Sequence, residues 1–172
     1  MMQTAQQAWT TDDLKTLLQQ EEWQAADQVT LQLLLQAADR PKWLDLDAIA
    51  NLPCPVLHEL DYLWIEASQG KFGFSVQRQI YTQEAQSDAL ELGKQVGWVM
   101  FPERAFAFFK FYDFLNFSSN APRGHLPALW YWKLSSGDSW RSGGFGTGRG
   151  GGFGDVRMFD AMMLRLERCS LI

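Results

Sequence analysis

Segment after segment of this chain repeats its apolar residues at intervals of three and four, and strand-like alternation is nowhere sustained. That periodicity restricts the fold to one built from amphipathic helices. Over residues 12–38, Leu14, Leu17, Leu18, Ala26, Val29, Leu33, Leu34 and Ala37 follow it, with Thr10 or Thr11 as N-cap, giving one helix or two in sequence. The run must end before Pro41, and Asp45 or Asp47 caps a short turn through Ala50, so a connecting loop carries Trp43, Leu44 and Leu46. Pro53 and Pro55 open the next helix, which Leu57, Leu60, Trp64 and Ala67 line and Gly70 stops. Ser75 is the expected cap of a helix through Tyr81, and residues 85–96 form another, ended by Gly93 or Gly97. Val156, Phe159, Met163 and Leu166, with Met162 alongside, mark a C-terminal helix that docks back on the body. Residues 1–10 read as a tail and 11–172 as a single all-α domain. A long mobile loop interrupts it over 135–154, with eight of the fourteen glycines lying between 143 and 154.

Residues 98–117 do not fit this pattern. Seven of the twelve Phe fall there, and the spacing 106, 108, 109, 111, 114 puts apolar groups on more than one face of any regular element. The stretch is therefore irregular or short helix, and some of its rings call for a partner other than an ordinary core. Charge points to the same half. Residues 1–99 hold six basic and fourteen acidic side chains, whereas 100–172 hold nine basic and six acidic. Massed cation, as a nucleic-acid binder needs, is absent, but a small anionic ligand suits the C-terminal half. Surplus rings beside Arg141, Arg149 and Arg157, in and after the glycine-rich loop, fit a planar, apolar, doubly anionic molecule. Burying on the order of 300 Å² of such a ligand yields roughly 7 kcal/mol before association costs, and arginine–carboxylate pairing adds orientation.

Other chemistries find little support. Residues 146–151 match GxGxxG in form but follow Ser-Gly-Asp-Ser-Trp-Arg rather than a strand, and a single Arg149-Gly-Gly does not make an RNA-binding segment. His58 opens His-Glu-Leu-Asp, which is not HExxH, and reads as a surface or satisfied histidine. An axial role toward a bound metalloporphyrin is the functional alternative. His125, the second histidine, reads as a structural hydrogen bonder. Asp45 with Asp47, and Glu59 with Asp61, are explained by capping or a solvated helix face, and no nucleophile–base order is present, so an enzyme is not expected. Cys54 and Cys169 lie far apart and read as two reduced, partly buried thiols. Neither a signal or transit peptide nor a run of about 20 apolar residues is seen, which suggests a cytoplasmic protein.

Within residues 64–81 stands the string Phe72-Gly73-Phe74-Ser75-Val76-Gln77, flanked in order by Trp23 to Asp27 with Thr30, Trp43-Leu44, Pro53, Leu60-Asp61, Leu63-Trp64, Gly97-Trp98 and residues 121–127. Over about residues 12–134, and in the last helix, the chain resembles the genomes-uncoupled four family, porphyrin-binding regulators of magnesium chelatase. The resemblance implies an all-α core shaped like a cupped hand that binds protoporphyrin IX or Mg-protoporphyrin IX without catalysis. The ligand would lie between loops mapping to 43–49 and 130–157. Leu44, Leu46 and Ile49 would form one wall, and Phe106, Phe108, Phe109, Trp130 and Trp132 the others. Arg157 matches an arginine near the start of the last helix, while Arg141, Arg149 and Phe153 belong to the same final loop. Implied partners are the tetrapyrrole, the large subunit of magnesium chelatase and, peripherally, the thylakoid membrane of a cyanobacterium; nucleic acid is not among them. The family's chelatase activators carry an N-terminal helical bundle not seen in this sequence. Their final loop is shorter and has an arginine just before the last helix, where this chain has Phe153-Gly154, so ligand binding is implied more firmly than chelatase activation. The competing reading from the residues is a helical interaction module, associated with photosynthetic complexes, whose rings receive a protein or another tetrapyrrole such as haem, bilin or chlorophyll.

Overall fold

Thr10 opens the first helix with a capping box: its hydroxyl accepts from the Asp13 amide at 3.3 Å, and the Asp13 carboxylate accepts from the Thr10 amide at 2.9 Å. The computed structural model describes residues 8–103, 108–132, 150–152 and 155–172. Helix α1 (Thr11–Gln19) buries Leu14 and Leu18, and a left-handed Glu21 (φ 57°) turns the chain into α2 (Trp23–Ala37). The expected run is thus two helices. Residues are buried nearly all round α2, from Trp23 and Ala26 to Leu33, Leu34 and Leu35, as befits a central helix rather than a surface one. It ends at Ala38, ahead of Pro41. Asp45 caps the short α3 (Leu46–Ala50) by accepting from the Ala48 amide at 2.7 Å. Helix α4 (Cys54–Ser68) carries its proline at the first turn, where the missing amide hydrogen is no loss, and stops with Gln69 and Gly70 both at positive φ.

Helix α5 (Phe74–Gln79) corrects one expectation. Ser75 lies inside the helix, and its cap comes from a distance: Asp61 on α4 accepts from the Ser75 amide at 2.8 Å. Asp61 is therefore buried rather than solvated, and burial raises its pKa. The chain continues as a π-helical turn (Ile80–Glu84), then α6 (Ala89–Gln95) capped by Asp88. Gly97, at φ 80°, follows α6 and serves as the stop. Gly93 sits within α6, because a Cβ there would stand 3.1 Å from the Phe109 ring. A short antiparallel ribbon, β1 (Phe109–Phe111) with β2 (Gly150–Gly152), qualifies the all-helical expectation, with Phe109 facing Gly152 and Phe111 facing Gly150. On its other side β1 bridges to Val99. The fold is otherwise helical, and the last helix, α7 (Arg157–Arg168), packs on α3, α5 and α6. Most of the proposed mobile loop at 135–154 lies outside the described residues. Among those described, no helix is long and apolar enough to cross a membrane, and no cluster of three or more His, Cys, Asp or Glu is arranged to hold a metal.

The two thiols are not reduced. Cys54 at the start of α4 and Cys169 at the end of α7 form a disulfide across 115 residues, with Cα atoms 5.2 Å apart. Sequence spacing hides this pair because only the return of α7 brings its C-terminus to α4. Arg165 and His58 secure the same junction: the guanidinium donates to the Leu52 carbonyl at 2.6 and 2.8 Å, and His58 Nε2 donates to the Cys169 carbonyl at 2.6 Å.

Candidate functional site

The residues that stand in family order are mostly joints between elements. Asp27, fully buried on α2, accepts from the amides of Ala128 and Leu129 at 2.8 and 3.0 Å and from the Tyr112 hydroxyl at 3.0 Å. No cation is among these partners, and burial pushes its carboxyl up to about 6 against the three hydrogen bonds. Gln77 Nε2 donates to the carbonyls of Gly124 and Pro127, at 3.0 and 2.8 Å, while the Gly73 amide donates to Leu126. Phe72 and Phe74 are buried on either side of Gly73, where a φ of 140° and the 2.8 Å that an added Cβ would leave to Asp61 Oδ1 exclude a side chain. The string at 72–77 thus clasps residues 124–127, which include the cis Leu126–Pro127 bond.

His125 completes the clasp as a structural hydrogen bonder. Its Nδ1 donates to Val96 at 2.5 Å, its Nε2 accepts from the Asn116 amide at 3.1 Å, and its own carbonyl accepts from the Trp98 indole at 2.8 Å. Burial lowers the imidazole to about 4, so the ring is neutral, as those opposite roles require.

The aromatic surplus has an owner in large part. Trp98, Phe109, Trp130, Tyr131, Trp132 and Phe159 form one buried cluster, with ring centroids 4.8 Å apart for Trp98 and Trp132 and 4.5 Å for Tyr131 and Phe159. The indoles of Trp130 and Trp132 donate to the carbonyls of Pro127 and Lys110. Phe109, Trp130 and Trp132 are therefore core residues in this structure, and an open ligand wall is not where they stand; at most they back one. Of the first expected wall, Leu44 and Ile49 are likewise fully buried, whereas Leu46 is 38% exposed and its neighbour Trp43 39%. Phe108 is half-buried. Arg157 is exposed at the start of α7, where Asp155 holds it in a forked pair at 2.8 and 2.9 Å. Phe106, Arg141, Arg149 and Phe153 lie outside the described residues. The structure therefore presents Trp43 and Leu46 at the surface around α3, beside the helix that begins with Arg157. Trp43 was placed on the loop by the sequence but not named as a contact. A concavity of about 490 Å³ between α1 and α2, lined by Trp9, Leu17 and Val29, had no sequence signal because Leu17 and Val29 are ordinary helix positions.

A family model described as GUN4-like matches residues 4–139. The chain belongs to the GUN4-like family. Protein ycf53 of Pyropia yezoensis is 34% identical over 125 residues, spanning 67% of this chain and 48% of that protein. The tetrapyrrole-binding protein, chloroplastic, of Arabidopsis thaliana is 28% identical over 125 residues, spanning 67% and 47% respectively. The chain thus spans about half the length of these curated relatives. The solved structure of GUN4 from Chlamydomonas reinhardtii superposes with a TM-score of 0.63 at 24% identity, covering 95% of this chain and 92% of that one. The ligand-free Arabidopsis thaliana GUN4 gives 0.62 at 22% identity, covering 88% and 92%. These likenesses establish a shared fold.

Proposed function

We propose that this GUN4-like chain binds a tetrapyrrole without transforming it, with protoporphyrin IX or Mg-protoporphyrin IX as ligand, and so assists chlorophyll biosynthesis through magnesium chelatase. The observation that carries the reading is the exposed apolar surface of Leu46, at the start of α3, and Trp43, on the loop before it, with Leu44 and Ile49 buried and α3 packed against α7, whose first residue is the exposed Arg157. An exposed apolar surface and an exposed guanidinium on two packed helices suit a flat macrocycle with carboxylates on one edge. The name of the Arabidopsis relative supports the same ligand class. Arg157, Arg149 and Arg141 are the cations proposed for the carboxylates, with Phe106, Phe108 and Phe153 as further apolar contacts and Phe109, Trp130 and Trp132 as backing. The chelatase large subunit and a peripheral thylakoid surface are the proposed partners.

Porphyrin titration against the intrinsic Trp fluorescence tests this. Quenching by protoporphyrin IX or its magnesium form with Kd below about 10 μM, roughly 7 kcal/mol of binding, is expected. Failure of protoporphyrin, Mg-protoporphyrin, haem and bilins alike at that concentration sinks the reading. Arg157→Ala is expected to weaken binding about fivefold, the worth of one exposed charge-assisted contact.

A further inference from the structure

Three side-chain polar atoms among the described residues are buried with no partner: Gln77 Oε1, Arg78 Nε and the Tyr131 hydroxyl. Gln77 and Arg78 are otherwise engaged, the first through its amide nitrogen with two carbonyls, the second through Nη1 with Met163 and Nη2 near Glu167. Tyr131 has one polar atom, and all of its hydrogen-bonding capacity is unused. Phenylalanine would satisfy such a site better, so the hydroxyl is there at a cost to folding and asks for a reason.

Its surroundings supply one. Tyr131 is only 7% exposed, with its ring 4.5 Å from Phe159, 4.9 Å from Phe109 and 5.0 Å from Trp132, all centroid to centroid. Phe159 sits in the first turn of α7, directly after the Asp155–Arg157 pair, so the Tyr131 ring packs against the end of the helix where the exposed guanidinium and the carboxylate stand. Burial, with the Asp155 charge adding to it, holds the phenol far above its ordinary pKa, so it is a neutral donor throughout the physiological range and does not repel an anion. Asp155 presents to Arg157 Nε and Nη2 the same fork that a bound carboxylate would.

Resting on the tetrapyrrole reading, we propose that Tyr131 is a specificity-determining residue of that site: its hydroxyl donates to a ligand carboxylate, which takes the place of Asp155 on Arg157. The ligand class follows as a porphyrin with free carboxylates. Without them, the orphan stays orphaned and Asp155 keeps its arginine.

The test measures affinities of the wild type, Tyr131→Phe and Asp155→Asn for protoporphyrin IX and for its dimethyl ester, which lacks free carboxylates, together with the melting temperature of each protein without ligand. Tyr131→Phe is expected to weaken protoporphyrin binding about tenfold, the worth of a hydrogen bond to a charged group, and to leave the diester unchanged. Its ligand-free melting temperature should equal or exceed that of the wild type. Asp155→Asn should tighten protoporphyrin binding several-fold by releasing Arg157. The proposal is overturned if Tyr131→Phe binds protoporphyrin as the wild type does, loses both porphyrins equally, or melts lower when empty, since the last marks a structural hydroxyl. Unchanged or weaker binding by Asp155→Asn overturns the exchange. A wild type that binds neither porphyrin overturns the tetrapyrrole reading itself, and the proposal with it, a result distinct from all of these.

Discussion

The first four helices and the rest of the chain solve the burial problem differently. In α1 to α4 the core is mostly leucine on regular helices, with one aromatic group of Trp23, Trp64 and Phe72. Between α6 and α7 half of the buried apolar residues are rings on irregular backbone, and Trp98, Trp130 and Trp132 each hand an indole hydrogen to a backbone carbonyl. Leucine needs only a face to be buried, whereas a buried indole also needs an acceptor in a fixed place. The second region therefore depends on polar joints, and the main one, Asp27, comes from the first region.

Asp27→Ala should break that dependence most severely. It strands two amides and a phenol, and even after relief from a buried charge the loss should be about 4 kcal/mol. Leu34→Ala, deep in the first region, should lose about 3 kcal/mol. Denaturant unfolding with near-UV circular dichroism separates them: if Asp27→Ala leaves the signal of the second aromatic cluster intact, the two regions are not coupled as described. Replacing Cys54 and Cys169 by serine should cost about 3 kcal/mol through the long closed loop. Faster hydrogen exchange is expected in α7 than in α2; uniform loss of protection would show that the disulfide serves the whole molecule equally. Gly124→Ala probes the clasp. Gly124 has φ 74° and an added Cβ would stand 2.6 Å from Ile80, so a loss of about 2 kcal/mol is expected, visible in the melting temperature.

The smallest effect is a cancellation. Asp27 titrates at about 6 when folded against 3.8 otherwise, so the folded chain holds the extra proton and stability falls as pH rises through that window. His125 titrates at about 4 against 6.5, so the unfolded chain holds the extra proton and stability rises with pH from 4 to 6.5. Each contributes about 3 kcal/mol, with opposite sign, so the two largely offset each other between pH 4 and 6. Asp27→Asn should expose the histidine: its stability should drop as pH falls from 6.5 to 4. A flat profile in that variant would remove His125 from the account.

Legibility in the sequence followed the same division. Helices α1, α2, α4 and α7 could be read because their apolar residues recur at threes and fours, but the break between α1 and α2 at left-handed Glu21 left no such signal. The start of α5 could not, because its cap is Asp61, thirteen residues before Phe74 and on another helix. Nor could β2, whose three glycines carry no alternation. The rings were legible as a surplus but not as a core, since what places Trp130 and Trp132 is the carbonyls of Pro127 and Lys110 rather than any spacing. Leu46 and Arg157 were read as candidate contacts and do reach the surface, while Tyr131 escaped notice because an orphan hydroxyl is a property of surroundings, not of sequence.

The glycine strand has a consequence for register. An ordinary strand writes its register into its side chains, inward and outward by turns, so one inserted residue turns it inside out. A strand of three glycines has two identical faces, and only Phe109 and Phe111 across the ribbon tell it where to stop. A glycine gained or lost there during descent renames its members without disturbing a ladder bond.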